Sequence, residues 1–409
     1  MGTGATVFVL AGGLGTRLAH AIGDVPKPMA DIAGHPFLEW QLKYFIKHNF
    51  RDFVLMVGHK KEAIMDFFHD GASLGSRIRY SAEEELLGTG GAFLQALERF
   101  PCESFVLANG DTYFAIPIRV LLNHARERVG VSVGLKLMDR PQRYGCVRLG
   151  AGHEILAVEE KRLDVAEGYI NGGIYAGETA VLRSFRVEKC SLENDLFPRL
   201  MKKHALLGIP FGGGFLDIGI PEDYYRGQSL IPSWCSQEET PALFLDRDGI
   251  LIEDRKYEAD PERLVFKEEG VGLFRRCLRK GWKLIIVSNQ AGVAKGILPR
   301  SAVEDVNARI RSHFADWGVE FTDFYHCPFH ADGKLPEFTR ESLRRKPAPG
   351  MLLDAAERWR IDMTRSIMIG DKDSDMINLP YLRSFIIPGR YAIKNTSLIR
   401  SYSEIESLV

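Results

Sequence analysis

Two aspartates separated by one residue, in Leu243-Phe244-Leu245-Asp246-Arg247-Asp248-Gly249, follow an apolar run that reads as a buried strand. Residues i and i+2 project to the same side of an extended chain, so both carboxylates can address one substrate. One can attack an electrophile while the other exchanges a proton with the leaving group and then with water. The plainer reading is a strand ending in an acidic turn whose glycine takes a positive φ. Three stations further along point away from it. Ser288-Asn289-Gln290 offers a hydroxyl and amides to a phosphoryl group, and Arg345-Lys346-Pro347 supplies cations. Ile369-Gly370-Asp371-Lys372-Asp373-Ser374-Asp375 ends another apolar run in an acidic cluster suited to a hard divalent cation. Asp373 and Asp375 read equally well as supporting groups or as caps of the next helix.

A second constellation occupies the first half of the chain. Thr6–Leu10 runs into Ala11-Gly12-Gly13-Leu14-Gly15-Thr16-Arg17-Leu18. Glycines after a buried strand let backbone N–H groups approach a polyphosphate, and a following helix N-terminus favours negative charge. The spacing matches neither a Walker A loop nor G-x-G-x-x-G, and a glycine-rich turn alone is often only a tight turn. Arg17 adds a bidentate phosphate donor, and Pro26-Lys27-Pro28-Met29 sets a lysine in a stiff frame. Asp111, after the run Phe105–Ala108, and Asp217, in Gly214-Phe215-Leu216-Asp217-Ile218-Gly219, are carboxylates able to hold a hard cation. Taken singly, each is also an ordinary turn or cap residue.

Such residues need strands that end together at one edge of a sheet. Apolar runs at Thr6–Leu10, Asp52–Val57, Phe105–Ala108, Val131–Leu137, Ala242–Leu245, Lys283–Val287 and Ser366–Ile369 supply them, with helix-like stretches such as Phe37–His48 and Leu86–Arg99 between. This rhythm predicts α/β architecture with mostly parallel sheets. A chain of 409 residues exceeds one ordinary core. The polar, proline-bracketed stretch Pro232–Pro241 divides it into a domain at 1–231, a linker at 232–241 and a domain at 242–409. Lys plus Arg (53) balances Asp plus Glu (54), which leaves no global field for nucleic acid or an anionic membrane, so anionic ligands need local sites. No apolar window approaches the roughly 18 residues that span a bilayer. Six scattered cysteines without a C-x-x-C pair, and an N-terminus without signal-peptide features, are those expected of a cytoplasmic protein.

The pairing of G-G-x-G-T-R-L with P-K-P-M resembles the signature of sugar-1-phosphate nucleotidyltransferases, and the likeness runs over roughly residues 3–230. It implies a Rossmann-like mixed sheet and in-line attack of a sugar-phosphate oxygen on the α-phosphorus of a nucleoside triphosphate. Carried over by motif, Gly12, Gly13, Gly15, Thr16, Arg17, Lys27, Gly88, Thr89 and Asn109 contact the nucleotide. Gly145, Glu160, Lys161 and Asn171 contact the sugar phosphate, and Asp111 and Asp217 hold Mg²⁺. Arg17 and Lys27 neutralise charge as it moves. Leu87–Ala92 and Asn109–Phe114 are most similar to heptose-1-phosphate guanylyltransferases, which implies GTP; UTP, dTTP and ATP stand as alternatives.

The constellation around Asp246 and Asp248 resembles the haloacid dehalogenase superfamily over about residues 242–390, within its branch of heptose-1,7-bisphosphate and histidinol-phosphate phosphatases. That resemblance implies a Rossmann-like domain without a large cap. Asp246 becomes the nucleophile and Asp248 the acid and base. Asp246, Asp371 and the backbone carbonyl of Asp248 hold Mg²⁺, while Ser288, Asn289, Arg345 and Lys346 receive the phosphate. Relatives in this branch commonly bind zinc through C-x-H and C-x-C. Here Cys327-Pro328-Phe329-His330 is followed by Ser342 and Arg344, too few ligands for a tetrahedral site, so no zinc is expected. Together the resemblances imply a bifunctional enzyme of nucleotide-activated heptose synthesis, with no nucleic-acid or membrane partner; the same two chemistries on another sugar phosphate are the alternative. A non-catalytic sugar-nucleotide sensor fits less well, because Asp111, Asp217, Asp246, Asp248 and Asp371 are all retained.

Overall fold

Val7, Phe8 and Val9 expose no surface, because both faces of the Ala5–Leu10 strand are covered. The strand lies between parallel strands Asp52–Val57 and Ser104–Asn109, which is why it reads as an unbroken apolar run rather than an alternation. Phe93, from the helix Gly88–Arg99, packs edge-on against Phe8 and Phe105, with ring centroids at 5.5 and 4.9 Å. Each large apolar side chain buried in this way contributes on the order of 1.5–3 kcal/mol. The computed structural model describes residues 4–13, 18–23, 25–159, 161, 164–394 and 398–409. Gly15, Thr16, Arg17 and Glu160 lie outside the described residues. Two compact units are present, Met1–Gln237 and Glu238–Val409.

In the first unit the described residues form a nine-stranded sheet. Its path is Ile155–Glu159, Cys146–Leu149, Glu167–Glu178, Ser104–Asn109, Ala5–Leu10, Asp52–Val57 and Arg77–Ala82, and Val131–Asp139 bridges Glu167–Glu178 to Leu206–Phe211. The four neighbours from Ser104–Asn109 to Arg77–Ala82 run parallel, and Glu167–Glu178 joins antiparallel, so the sheet is mixed as expected. Cys146–Leu149, Ile155–Glu159 and Glu167–Glu178 fall outside the sequence reading: exposed and half-exposed residues interrupt the first two, and glycines interrupt the third although it is mostly buried.

One boundary is corrected. The expected linker begins inside the helix Pro221–Ser236, which runs through Pro232. A proline within a helix removes one hydrogen bond, and here tertiary contacts outweigh that loss. Ile231 is fully buried, and Trp234 stacks on Tyr113 at 6.0 Å. Lys47 Nζ donates to the carbonyls of Cys235 and Gln237, at 3.2 and 3.3 Å.

The second unit is a five-stranded sheet among the described residues, parallel throughout, in the order Asp323–Cys327, Lys283–Asn289, Ala242–Leu245, Ile367–Gly370 and Arg383–Ile386. Ala242–Leu245 is central, and its two neighbours come from opposite windings of the chain. Ligands of such sheets bind at the carboxyl ends of the strands beside that switch. Leu243, Leu245, Phe274, Leu284, Ile286, Phe314 and Ile369 fill the core on one side.

A buried histidine makes the first unit sensitive to acid. His124 is 7% exposed, its Nδ1 lies 3.1 Å from Ser132 Oγ, and the His153 ring stands edge-on at 5.8 Å. Burial, then the charges of His153 and Arg128, push His124 down to about 4 from 6.5. A folded-state value below the unfolded one means that protonation favours unfolding. The stabilising contribution is therefore complete above about pH 6.5 and is lost as pH falls toward about 4. Thermal unfolding followed from about pH 7 to about pH 4.5 should show a smaller loss of Tm for His124→Gln than for the parent chain. Equal losses would remove His124 from the explanation.

Candidate functional site

The first site forms where the strands Ala5–Leu10, Asp52–Val57 and Ser104–Asn109 end. A cavity of about 290 Å³ opens there, lined by Gly12, Gly13, Lys27, Gly88, Thr89, Asn109 and Asp111, with Met56, Glu83, Leu86 and Glu193. Gly12 is required by close approach, because a Cβ would sit 3.0 Å from Gly58 N. Gly88 has φ +75°, and a Cβ there would sit 2.7 Å from the Cys190 carbonyl oxygen. That same oxygen accepts the N–H groups of Gly90 and Gly91 at 3.0 and 3.2 Å, so Cys190 caps the helix start. Thr89 Oγ1 accepts the Leu192 N–H at 2.9 Å.

Lys27 stands on a short 3-10 turn, Lys27–Met29, with Pro28 buried beneath it. Its ammonium donates to Asp111 Oδ2 at 3.0 Å. Asp217 reaches the same edge because Phe215–Asp217 pairs antiparallel with Thr112–Phe114, and Ile218 N donates to the Asp111 carbonyl. Asp217 accepts from Gly219 N at 2.8 Å and from the Tyr144 hydroxyl at 3.4 Å. Burial, and next the charge of Asp111, raise its carboxyl above the usual range. Two carboxylates that repel each other at a buried edge, with Lys27 beside one of them, are a donor set that suits a divalent cation. Gln41 lies far away in sequence and holds this loop from below by donating to the carbonyls of Asn109 and Thr112.

The expected sugar contacts are less uniform. Gly145 packs under the Glu159 carbonyl, where a Cβ would approach to 2.8 Å. Lys161 is exposed. The Asn171 side chain closes on its own bulge, accepting from Gly173 N and donating to the Tyr175 hydroxyl, both at 2.9 Å. Glu83 and Glu193 line the cavity without having been expected there. The acidic run Glu83-Glu84-Glu85 before Leu86 was the available signal for the first.

In the second unit the expected residues converge. Asp246 is 3% exposed at the end of the central strand, and Lys346 Nζ donates to its Oδ1 at 2.8 Å. The same ammonium lies 2.6 Å from Asp375 Oδ1. Asp246, Asp371 and Asp375 place carboxylate oxygens within 4.8 Å of one another. Burial first, with Asp375 and Asp248 adding repulsion against the pull of Lys346, raises Asp246 to about 7. Asp371 is raised to about 6, again mainly by burial. Burial alone would lower Lys346, yet Asp246 and Asp375 hold it above its ordinary range, so the lysine is the charged partner. Asp371 Oδ1 is buried without a hydrogen bond, and Lys372 Nζ is 3.5 Å away. Clustered carboxylates in excess of their cations fit a bound Mg²⁺.

Asp248 is aimed by its neighbours. Its Oδ2 accepts from Gln290 Nε2 at 2.9 Å and from Ser288 Oγ at 3.3 Å, and Arg247 spans both oxygens at 3.2 Å. Gly249, at φ +96°, lets the chain turn where a Cβ would strike the Asp371 carboxylate. The amides of the Ser288–Gln290 segment differ from expectation. Asn289 is spent on the backbone of Lys346, accepting its N–H and donating to its carbonyl at 3.0 Å each. Asp375 combines its two readings: Oδ2 caps the N–H groups of Asp371 and Lys372, and Oδ1 faces Lys346. Arg345 is half-buried and donates to the Phe329 carbonyl at 3.4 Å. Just before it, Arg344 pairs with both oxygens of Asp354 at 2.6 and 3.1 Å, and Arg340 stacks on Phe329 at 3.8 Å.

Comparison with known proteins separates along the same line. Residues 6–233 match a family model described as nucleotidyl transferase, and residues 343–377 match one described as HAD-hydrolase-like. Over 221 residues the chain is 42% identical to D-glycero-α-D-manno-heptose 1-phosphate guanylyltransferase of Campylobacter jejuni, covering 54% of this chain and 96% of that protein. Over 137 residues it is 39% identical to D-glycero-β-D-manno-heptose-1,7-bisphosphate 7-phosphatase of Vibrio cholerae, covering 34% and 74%. The crystal structure of HddC from Yersinia pseudotuberculosis superposes with a TM-score of 0.50 at 31% identity, over 55% of this chain and 98% of that one. No helix among the described residues is long and apolar enough to cross a membrane.

Proposed function

Because the chain belongs to the nucleotidyl transferase family over residues 6–233 and carries a HAD-like phosphatase unit behind it, we propose that it makes a GDP-activated heptose in two steps. The phosphatase unit removes the 7-phosphate of D-glycero-D-manno-heptose 1,7-bisphosphate. The transferase unit then passes GMP from GTP to the heptose 1-phosphate and releases pyrophosphate. One observation carries this reading: the two units match, separately, relatives whose names share one sugar, and the product of the phosphatase is a sugar 1-phosphate.

In the phosphatase unit a carboxylate oxygen of Asp246 attacks phosphorus, and the bond from phosphorus to the sugar oxygen breaks. Asp248, held by Arg247, Ser288 and Gln290, gives its proton to that oxygen. Asp248 then takes a proton from water, whose oxygen attacks the aspartyl phosphate, releasing phosphate and restoring Asp246. Lys346 balances charge at the nucleophile throughout. Asp246, Asp371 and Asp375, with the Asp248 carbonyl, would hold Mg²⁺, which supplies charge neutralisation when bound. In the transferase unit the sugar phosphate is already an anion, so no base is needed, and alignment and neutralisation carry the reaction. Its phosphate oxygen attacks the α-phosphorus of GTP as the bond to the β-phosphate breaks. Lys27 and Arg17 balance the triphosphate, and Asp111 and Asp217 would hold Mg²⁺ there. A cytoplasmic setting fits this reading and the six scattered cysteines without a C-x-x-C pair.

The relatives' names differ in anomer, α for the transferase and β for the phosphatase. Hydrolysis at C7 leaves C1 untouched, so the steps connect only if this phosphatase unit takes the α-bisphosphate. The test is phosphate and pyrophosphate release with both anomers and with GTP, UTP, dTTP and ATP in Mg²⁺. GTP should lead the others by more than about tenfold in kcat/KM, a gap of roughly 1.4 kcal/mol. Preference for another nucleotide by that margin would overturn the base assignment, and turnover of the β-anomer alone would break the link between the steps.

A further inference from the structure

We propose that Gln41 sets the separation of the carboxylates Asp111 and Asp217 and is a positioning residue for nucleotidyl transfer; this rests on the transferase reading above. Gln41 stands on the helix Phe37–Lys47, with Leu38, Leu42 and Phe45 on its buried face. An amide in such a place costs desolvation that a leucine avoids, unless its hydrogens find acceptors. Both hydrogens go to one turn. Nε2 donates to the carbonyl of Asn109 at 2.8 Å and to that of Thr112 at 2.5 Å, and the residue is 4% exposed.

Those two carbonyls bracket Gly110 and Asp111. Thr112 is also the register partner of Asp217 where Phe215–Asp217 pairs with Thr112–Phe114. One amide therefore grips the chain on both sides of the first carboxylate and opposite the second. The other backbone restraints on the turn come from the side. Gly110 N donates to the Leu10 carbonyl at 3.1 Å, and Ile218 N donates to the Asp111 carbonyl at 3.0 Å. The same helix supplies Tyr44, whose ring meets that of Tyr113 edge-on at 5.5 Å and whose hydroxyl donates to the Ile116 carbonyl at 3.1 Å. Without the Gln41 amide the turn keeps its lateral bonds and its contact with Tyr44, and loses the support directly beneath Asp111. Mg²⁺ demands near-ideal octahedral geometry at about 2.0–2.1 Å, so a small displacement of one carboxylate weakens its hold. Groups that orient metal ligands are worth roughly 10–100-fold in metal affinity or activity.

The test uses the full chain and two readouts. The first is Mn²⁺ binding followed by electron paramagnetic resonance, on a chain carrying Asp371→Asn so that the carboxylate cluster of the second unit is broken. The second is the Mg²⁺ concentration that half-saturates pyrophosphate release from GTP and heptose 1-phosphate. Gln41→Met keeps the length of the side chain without its donors, and should weaken Mn²⁺ binding and raise the Mg²⁺ requirement by about tenfold or more. At saturating Mg²⁺ its KM for GTP should stay within about threefold of the parent's, because the nucleotide pocket itself is untouched. Gln41→Glu preserves the shape and polarity of the side chain but offers at most one hydrogen to two carbonyls. It should shift both readouts in the same direction, and it carries the test if Gln41→Met does not fold. A parent that neither binds Mn²⁺ nor releases pyrophosphate would sink the transferase reading itself. An active parent whose variants hold Mn²⁺ and use Mg²⁺ within about threefold would overturn the role of Gln41. A KM for GTP that stays raised at saturating Mg²⁺ would also overturn it, since the pocket as a whole would then have collapsed.

Discussion

Asp246→Asn should abolish phosphate release, by several orders of magnitude, while guanylyl transfer from supplied heptose 1-phosphate stays near that of the parent. The carboxamide fills the same volume but presents no anionic oxygen to attack phosphorus, and no neighbour can substitute. Asp371 and Asp375 share the pocket, but Asp375 is committed to two backbone N–H groups and Lys346, and Asp371 stands on a different strand end. The effect on stability should run the other way. Breaking a buried ion pair ordinarily costs about 3–5 kcal/mol, because the remaining charge is stranded. Here Lys346 keeps Asp375 at 2.6 Å, and the residue removed is one whose ionised form burial already disfavours, enough to raise it to about 7. Without added metal, Asp246→Asn should therefore melt no lower than the parent. Added Mg²⁺ should raise the parent's Tm more than the variant's, since the parent has one more anionic ligand to offer. Phosphate release that survives the substitution would remove Asp246 from the role of nucleophile. Loss of guanylyl transfer in a folded variant would show that the two activities share a site.

Asp111→Asn should suppress guanylyl transfer by about 10²–10³-fold and leave phosphate release intact. The substitution takes away a hard anionic ligand and also the partner of Lys27, whose ammonium sits 3.0 Å from Asp111 Oδ2. A lysine released from that pair can still reach a triphosphate, so GTP binding should weaken less than kcat falls, and the split between KM and kcat is the informative readout. The remaining carboxylate, Asp217, loses a like-charged neighbour and should return toward the ordinary carboxylate range. Raising Mg²⁺ should recover part of the lost rate if a metal ligand has been weakened. Transfer within about tenfold of the parent at all Mg²⁺ concentrations would overturn the assignment of Asp111 as a metal ligand.

Much of both sites was legible because of where the motifs stand. Asp52–Val57 and Ala242–Leu245 fall as expected, and the other five expected strands within a residue or two, since buried parallel strands are apolar on both faces and end where glycines and acids begin. Cys146–Leu149, Ile155–Glu159 and Glu167–Glu178 were not legible, because exposed residues break the pattern of the first two and the glycines at 168, 172, 173 and 177 break that of the third. The linker was misjudged for a related reason. Pro232 and the polar residues around it look like a break, and only the burial of Ile231 and the packing of Trp234 on Tyr113 hold them in a helix.

The residue types and their order were enough to suggest a phosphate loop and two acidic strand ends in one half, and a candidate nucleophile, acid, cation and metal carboxylates in the other. These follow from local chemistry: a glycine where backbone must come close, a carboxylate where a strand stops. Which side chain serves which partner was decided by tertiary structure, because the partners lie far apart in sequence. Gln41 reaches the carbonyls of Asn109 and Thr112, and Cys190 caps the helix that Gly90 and Gly91 begin. Asn289 turns from substrate to clamp the backbone of Lys346, and Asp375 joins the metal carboxylates while capping its own turn. A hydrogen bond is short and directional, so its partner is set by the packing that brings two strand ends within about 3 Å, and spacing along the chain carries no record of that distance.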